Sequence, residues 1–212
     1  MSQIKGPVLL IDDGGVASLA ACCLAADPAR VTGAGATGRG PGARSRAAAV
    51  RRRAELLGLA DPIFLDPPPA RDEPVSVEPA DMPDGAVATD LLLKAAREAW
   101  RLGVPQVVWP VHVGADLEGM DRALARARLV ERLVNLDLPQ EHEGEPPLRI
   151  ETPLLDLTDR QIAELAADLD APLDVCWWCD KDGPAPCGRC PGCHRWEPAL
   201  RETRGVWRTA AE

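Results

Sequence analysis

Four cysteines near the end of the chain, Cys179, Cys187, Cys190 and Cys193, follow the spacing Cys-x7-Cys-x2-Cys-x2-Cys. Thiolates separated by such short spacers wrap a zinc ion in a tight tetrahedral knuckle. Gly188 and Gly192 lie between the last three and permit the sharp turns that aim successive sulfurs inward. Four thiolates fill the coordination shell, so the ion would be structural and not catalytic. A redox dithiol is the rival reading, because Cys176-Trp177-Trp178-Cys179 is itself a Cys-x-x-Cys. Under the zinc reading Cys176 is left over as a non-ligand. His194 follows Cys193 directly, too close to replace a ligand without strain.

The elements that must position these residues read as alternating strands and helices. Pro7 to Ile11 is a buried strand, and a Gly-Gly turn leads into a helix from Val16 to Ala26. Val31 to Ala36 is a second strand, Ala43 to Leu57 a helix stopped by Gly58, and Pro62 to Leu65 a third strand. Pro67-Pro68-Pro69 and the acidic, proline-rich stretch to Pro83 form a long loop. A helix over Ala88 to Leu102 ends at Gly103, followed by a strand over Gln106 to Val111 and a helix over Met120 to Val134. Gln140 to Pro147 is a polar loop, and Arg149 to Thr152 is strand-like. Thr158 caps the next helix, with Gln161 three residues on. The alternation predicts an α/β fold, a doubly wound parallel sheet with helices on both faces. Ligands bind such sheets at the carboxyl ends of the strands, which puts the turn Asp12 to Ser18 at the mouth of the expected site. The chain divides into a core over 1–150 and a C-terminal segment over 151–212 carrying the zinc knuckle, packed on that core through Trp177 and Trp178.

Composition narrows the function class. The chain has 212 residues, 46% of them hydrophobic, enough for one sizeable core and too many for a disordered protein. The net charge of −9 argues against a general nucleic-acid binder, which needs a basic footprint. Arg44, Arg46, Arg51, Arg52 and Arg53 are a local exception, read as a solvated helix face or as a phosphate or partner patch. No apolar run reaches membrane-spanning length, and Met1-Ser2-Gln3-Ile4-Lys5 lacks a signal-peptide pattern, so a cytoplasmic protein is expected. Five of the seven cysteines cluster between Cys176 and Cys193, which in a reducing compartment favours metal over disulfides. Cys22 and Cys23, among alanines and leucines, read as small buried hydrophobes.

Glu151-Thr152-Pro153-Leu154-Leu155-Asp156-Leu157-Thr158, then a helix, then Ala171 to Cys179, then the three-cysteine knuckle with Arg195 just after it, resembles the C-terminal half of the 7-cyano-7-deazaguanine synthases. The resemblance is specific over Glu151 to Arg195 and diffuse over residues 1–150. That family belongs to the N-type ATP pyrophosphatases, whose adenine nucleotide alpha hydrolase-like, Rossmann-type sheet carries a loop of the form S-G-G-x-D-S after its first strand. Its members use ATP to convert 7-carboxy-7-deazaguanine and ammonia to the 7-cyano base. The resemblance implies that Asp13, Gly14, Gly15 and Ser18 form the nucleotide loop, with zinc at the four cysteines and ATP with Mg²⁺ as further cofactors. It implies a nucleotide or 7-deazaguanine-like small molecule as ligand and leaves a homodimer open.

The loop departs from the family pattern. Asp13 stands for the leading serine and Ala17 for the internal aspartate, with Asp12 as a second carboxylate. At an effective dielectric of about 20, two like charges about 4 Å apart repel by roughly 4 kcal/mol. That is about a thousandfold in affinity, unless Mg²⁺ bridges Asp12 and Asp13. With no tyrosine in the chain, Thr37-Gly38-Arg39 takes the place of the family's Y-G-Q. Val87-Ala88-Thr89-Asp90 is no clear counterpart of its P-G-R-N. Val111-His112-Val113-Gly114-Ala115-Asp116 partly matches a family loop after strand four, with Asp121 and Arg122 where acidic and basic substrate contacts fall. Three readings follow: a paralogue that binds a ligand or partner with weak or no ATP turnover, an active amide- or nitrile-forming ligase, and a zinc-stapled scaffold.

Overall fold

The computed structural model describes residues 6–25, 27–38, 40–65, 84–136 and 146–203. Five parallel strands stand in the order β3-β2-β1-β4-β5: β1 Val8–Asp12, β2 Val31–Gly35, β3 Ala60–Phe64, β4 Gln106–Val108 and β5 Arg149–Glu151. The helices between them are α1 Val16–Cys23, α2 Ala43–Leu57, α3 Asp84–Arg101 and α4 Leu117–Leu136, followed by α5 Asp159–Asp168 and α6 Pro191–Thr203. This is the doubly wound α/β architecture expected from the alternating pattern.

Successive side chains of a strand point to opposite faces, and β1 divides the core in that way. Val8 and Leu10 join Val16, Leu19 and Ala20 of α1, Ile162 and Ala166 of α5, and Leu200 of α6. Leu9 and Ile11 face the other way, onto Leu92, Ala95 and Ala99 of α3 and Ala123, Ala127 and Val130 of α4. Trp196, Ala199 and Leu200 belong to the same apolar cluster as β1, so the C-terminal segment shares the core of the sheet.

Element boundaries moved where local chemistry outweighs hydrophobic pattern. The ladder of β4 stops at Val108, and Trp109 adds one more bond to the carbonyl of Glu151 (2.8 Å). Pro110 then has no N–H to give. β3 begins at Ala60 and not at Pro62. Its Pro62 is tolerated because β3 is an edge strand, with a register shift against β2 beside it. The start of α5 agrees with expectation: Thr158 and Gln161 form a reciprocal capping box. The long proline-rich loop and most of the polar loop from Gln140 lie outside the described residues.

α2 carries the main departure. Its inward stripe of Ala43, Ala47 and Val50 continues to Arg53, which is fully buried and not part of a solvated face. Arg53 Nη1 donates to Asp12 Oδ1 (2.6 Å) and Ser18 Oγ (2.9 Å), and Nη2 donates to the Gly15 carbonyl (2.9 Å) and approaches Cys176 Sγ (3.5 Å). Burial works against the charge, but the attraction of Asp12 together with that of Cys176, Cys22 and Asp13 outweighs it and raises the guanidinium pKa. The other arginines of the run are also engaged. Arg44 pairs with Asp182 and Arg52 with Asp174, Arg46 donates to the carbonyls of Thr37 and Pro41, and Arg51 lies over Phe64.

Removing Arg53 leaves Asp12 buried without its cation. Arg53→Met is expected to destabilise the fold by about 3–5 kcal/mol in urea denaturation. Adding Asp12→Asn to that variant should return part of the loss, because the stranded charge is then gone.

Candidate functional site

The carboxyl ends of β1 and β4 border a cleft of about 280 Å³. In the strand order β3-β2-β1-β4-β5 the chain leaves β1 toward β2 and leaves β4 toward β5, so a crevice opens between the two exits. Its polar lining is Asp13, His112 and Arg195, and its apolar walls include Trp109 and Trp196.

The loop after β1 is closed on itself. Asp13 Oδ1 accepts hydrogen bonds from the Gly15 amide (2.8 Å) and the Ser18 hydroxyl (2.8 Å). Asp12 Oδ1 accepts from the Gly14 amide (2.8 Å) as well as from Arg53. Gly14 has φ +80°, and a Cβ there would lie 2.6 Å from the Arg46 carbonyl, so only glycine fits. Asp12 is 1% exposed and neutralised by Arg53, which removes it from the pair of carboxylates that could have bridged Mg²⁺. Ala17 lines the cleft at the start of α1.

Across the cleft, His112 Nε2 lies 2.7 Å from Asp159 Oδ1. Arg195 straddles the same carboxylate, Nε to Oδ2 at 2.9 Å and Nη2 to Oδ1 at 2.8 Å. Arg195 Nη2 and His112 Nε2 are 2.6 Å apart. A guanidinium can only donate, and both nitrogens share one acceptor oxygen when Nε2 carries its proton. Burial opposes ionisation of Asp159, but the hydrogen bonds from His112 and Arg195 outweigh it and bring the pKa down to about 2. The imidazole also meets the Trp196 ring, centroids 5.6 Å apart. This constellation was not read from the sequence, because its members lie 47 and 83 positions apart. Asp121 is on the exposed face of α4, where Arg122 pairs with Glu118 (2.6 Å), and neither lines the cleft. Thr89, in the segment with no P-G-R-N counterpart, donates to the Gly85 carbonyl within α3. Arg39 lies outside the described residues.

Cys179, Cys187, Cys190 and Cys193 come together with their sulfurs all within 4.8 Å of one another, a cluster that could hold a metal ion. Cys179 and Cys190 Sγ are 3.7 Å apart. Backbone amides point at the sulfurs: Lys181 and Cys187 at Cys179 Sγ (3.4 Å each), Asp180 at Cys190 Sγ (3.3 Å) and Cys193 at Cys190 Sγ (3.4 Å). Such donors favour thiolates. The Arg189 amide leads the contacts that lower the Cys187 pKa to about 6, whereas burial raises those of Cys179 and Cys193. Four soft donors in so small a volume fit a thiophilic cation of the zinc type. Gly188 has φ +68°, as a turn between ligands requires. Gly192 instead sits in the first turn of α6, where a Cβ would overlap the Trp178 carbonyl.

Cys176 faces away from the cluster. Its thiol donates to the Gly15 carbonyl (3.4 Å), and burial pushes its pKa up to about 12. All seven cysteines are free thiols, and Cys176 is not among the four clustered sulfurs. Cys22 is buried and Cys23 half-buried. His194 is exposed, its amide bonded to the Cys190 carbonyl.

The family described as Queuosine biosynthesis protein QueC matches residues 122–204. A 7-cyano-7-deazaguanine synthase of Methanothrix thermoacetophila is 32% identical over 130 residues, 59% of this chain and 56% of that protein. One from Sulfurihydrogenibium is 32% identical over 97 residues, 43% of this chain and 44% of its own length. One from Prochlorococcus marinus is 47% identical over 47 residues, 22% and 21%. Over these segments the chain is similar to the 7-cyano-7-deazaguanine synthases, as a divergent relative. Its matches to these relatives span between about a fifth and just over half of their length. Among the described residues, no helix is long and apolar enough to cross a membrane.

Purified protein is expected to hold about one metal ion per chain, lost with a Ser substitution at Cys187, Cys190 or Cys193 and retained in Cys176→Ser. Elemental analysis and thiol titration read this directly, and loss of metal from Cys176→Ser would show the ligand set to be different. A carboxyl NMR titration tests the Asp159 pair. Its pKa is depressed in the fold, so its stabilising contribution is complete above the ordinary 3.8 and lost as pH falls toward 2. In Arg195→Ala the Asp159 titration should move up toward 3.8.

Proposed function

We propose that this chain is a ligand-binding relative of the 7-cyano-7-deazaguanine synthases in which the loop after β1 has lost most or all use of ATP. The observation that carries the reading is the Asp13 carboxylate, which occupies the Gly15 amide and the Ser18 hydroxyl. Those are the donors an incoming phosphate would need. A phosphate must therefore displace an internal acceptor and then lie beside its charge, at a cost of roughly 4 kcal/mol at about 4 Å and a dielectric of about 20. With Asp12 neutralised by Arg53, that repulsion comes from Asp13 alone.

The cleft still recognises a small molecule under this reading. At about 280 Å³ it lies just below the range of about 300–1,000 Å³ typical of drug-sized ligands. Trp109 and Trp196 supply apolar walls, while Asp13, His112 and Arg195 supply an acceptor, an imidazole and a cation that fix orientation. A 7-deazaguanine-like heterocycle suits this mixture: its ring N–H groups meet the acceptor and its ring faces meet the indoles. Zinc in the four-cysteine cluster is structural, since four thiolates leave no position for substrate.

Calorimetry with ATP, with and without Mg²⁺, tests the central claim. Wild-type protein is expected to bind ATP more weakly than about millimolar, above −4.1 kcal/mol. Asp13→Ser combined with Ala17→Asp should bring measurable binding, because it frees the loop donors and rebuilds the family pattern. Micromolar Mg-ATP binding by the wild type, with pyrophosphate released in the presence of a 7-deazaguanine carboxylate, would replace this reading with that of an active ligase.

A further inference from the structure

The four-cysteine cluster and the cleft are joined by a short piece of irregular chain. Between the 3₁₀ turn Leu173–Val175 and α6, residues 176–190 contain neither helix nor strand, so no backbone ladder holds them. One end of this piece is fastened to the loop after β1: the Trp177 amide donates to the Gly14 carbonyl (2.8 Å) and the Cys176 thiol to the Gly15 carbonyl. Its middle is fastened to the start of α2. Asp182 accepts from the Ser45 amide (2.8 Å) and Arg44 Nε (3.3 Å), and the Gly183 amide donates to Ser45 Oγ (3.3 Å). Cys179 lies between these two attachments. At the far end, Cys193 is followed directly by His194 and then by Arg195 and Trp196, which form the opposite wall of the cleft.

We propose that metal occupancy of the four-cysteine cluster sets the shape of the cleft, by holding the Gly14–Gly15 loop and the Arg195–Trp196 wall at once. The inference rests on the reading that the cluster binds zinc. With the ion in place, Cys179 and Cys193 are fixed to a common point; Cys193 is two residues from Arg195, which lines the cleft, and Cys179 is two residues from Trp177, whose amide holds the Gly14 carbonyl. Without it the sulfurs are held by weak N–H···S contacts, and the irregular piece relies on isolated bonds such as Trp177 Nε1 to the Lys181 carbonyl (3.0 Å) and the Gly192 amide to Asp180 Oδ2 (3.0 Å). Metal release then frees the partner of the Gly14 carbonyl and the anchor of the α6 first turn together. By linkage, whatever the cleft binds strengthens metal retention to the same degree.

Hydrogen exchange measured by mass spectrometry on the full-length protein, zinc-loaded and after chelation, tests this with zinc as the only probe. Exchange at Gly15 and Trp177 is expected to rise by about tenfold or more on zinc removal, while α3 and α4 on the other face of the sheet keep their protection. In Trp177→Pro, which lacks the amide bonded to Gly14, the zinc-loaded protein should already show the faster loop exchange, and Trp177→Leu should not. Cys176 has φ −98° and ψ 149°, a conformation that a following proline accepts. Unchanged exchange at Gly15 and Trp177 after verified zinc loss overturns the linkage alone. An equal rise everywhere also overturns it, since zinc would then support the whole fold. Protein that carries no metal overturns both the linkage and the zinc reading.

Discussion

The buried pair of Arg53 and Asp12 is the constraint on which the site geometry depends. A guanidinium with no exposure must have its charge matched; the Arg53 terminal nitrogens Nη1 and Nη2 find acceptors, while Nε finds none among the described residues. Its partners come from the end of β1, the Gly15 carbonyl, the first turn of α1 and the segment leading to the cysteines. Because planar donor geometry fixes where those acceptors stand, α2, the β1 loop and the C-terminal segment cannot slide independently. The pair also settles the electrostatics: Asp12 enters the site as half of a neutral unit, and Asp13 is left as the charge that a ligand meets.

That arrangement gives Asp13 a consistent place. A carboxylate that accepts from the Gly15 amide satisfies a group that would otherwise need water or an anion, and it shares the Ser18 hydroxyl with the Gly15 carbonyl (3.1 Å). The loop is therefore complete in itself. Its closure sets a negative side chain on the loop's own donors: the anion is built into the sequence.

Much of this was legible in the residues, for identifiable reasons. Cysteine spacing reports the four-sulfur cluster because its members are local in sequence, and Thr158 with Gln161 reports a helix start because the capping box closes within four residues. Arg53 was misread because a run of arginines resembles a solvated face. Its spacing held the correction, since Arg53 continues the Ala43, Ala47 and Val50 stripe while the exposed Arg51 and Arg52 do not. The His112, Asp159 and Arg195 constellation had no such signal. It exists only because the loop after β4 and the starts of α5 and α6 converge, and no local period encodes that meeting.

The two walls of the cleft accordingly follow different logics. The β1 wall ends in a negative side chain with its donors already used, so it repels phosphate and accepts N–H groups. On the opposite wall Arg195 is half exposed even though two of its nitrogens are held by Asp159, so the guanidinium is oriented yet still reachable. A ligand bearing N–H donors at one end and negative or acceptor atoms at the other would satisfy both walls, whereas a polyphosphate could satisfy the second only. Under the proposed function, it is the polarity of the cleft, more than its shape, that would separate a small bipolar heterocycle from a nucleotide triphosphate. That polarity traces to Asp13 standing where a serine would have offered a hydroxyl.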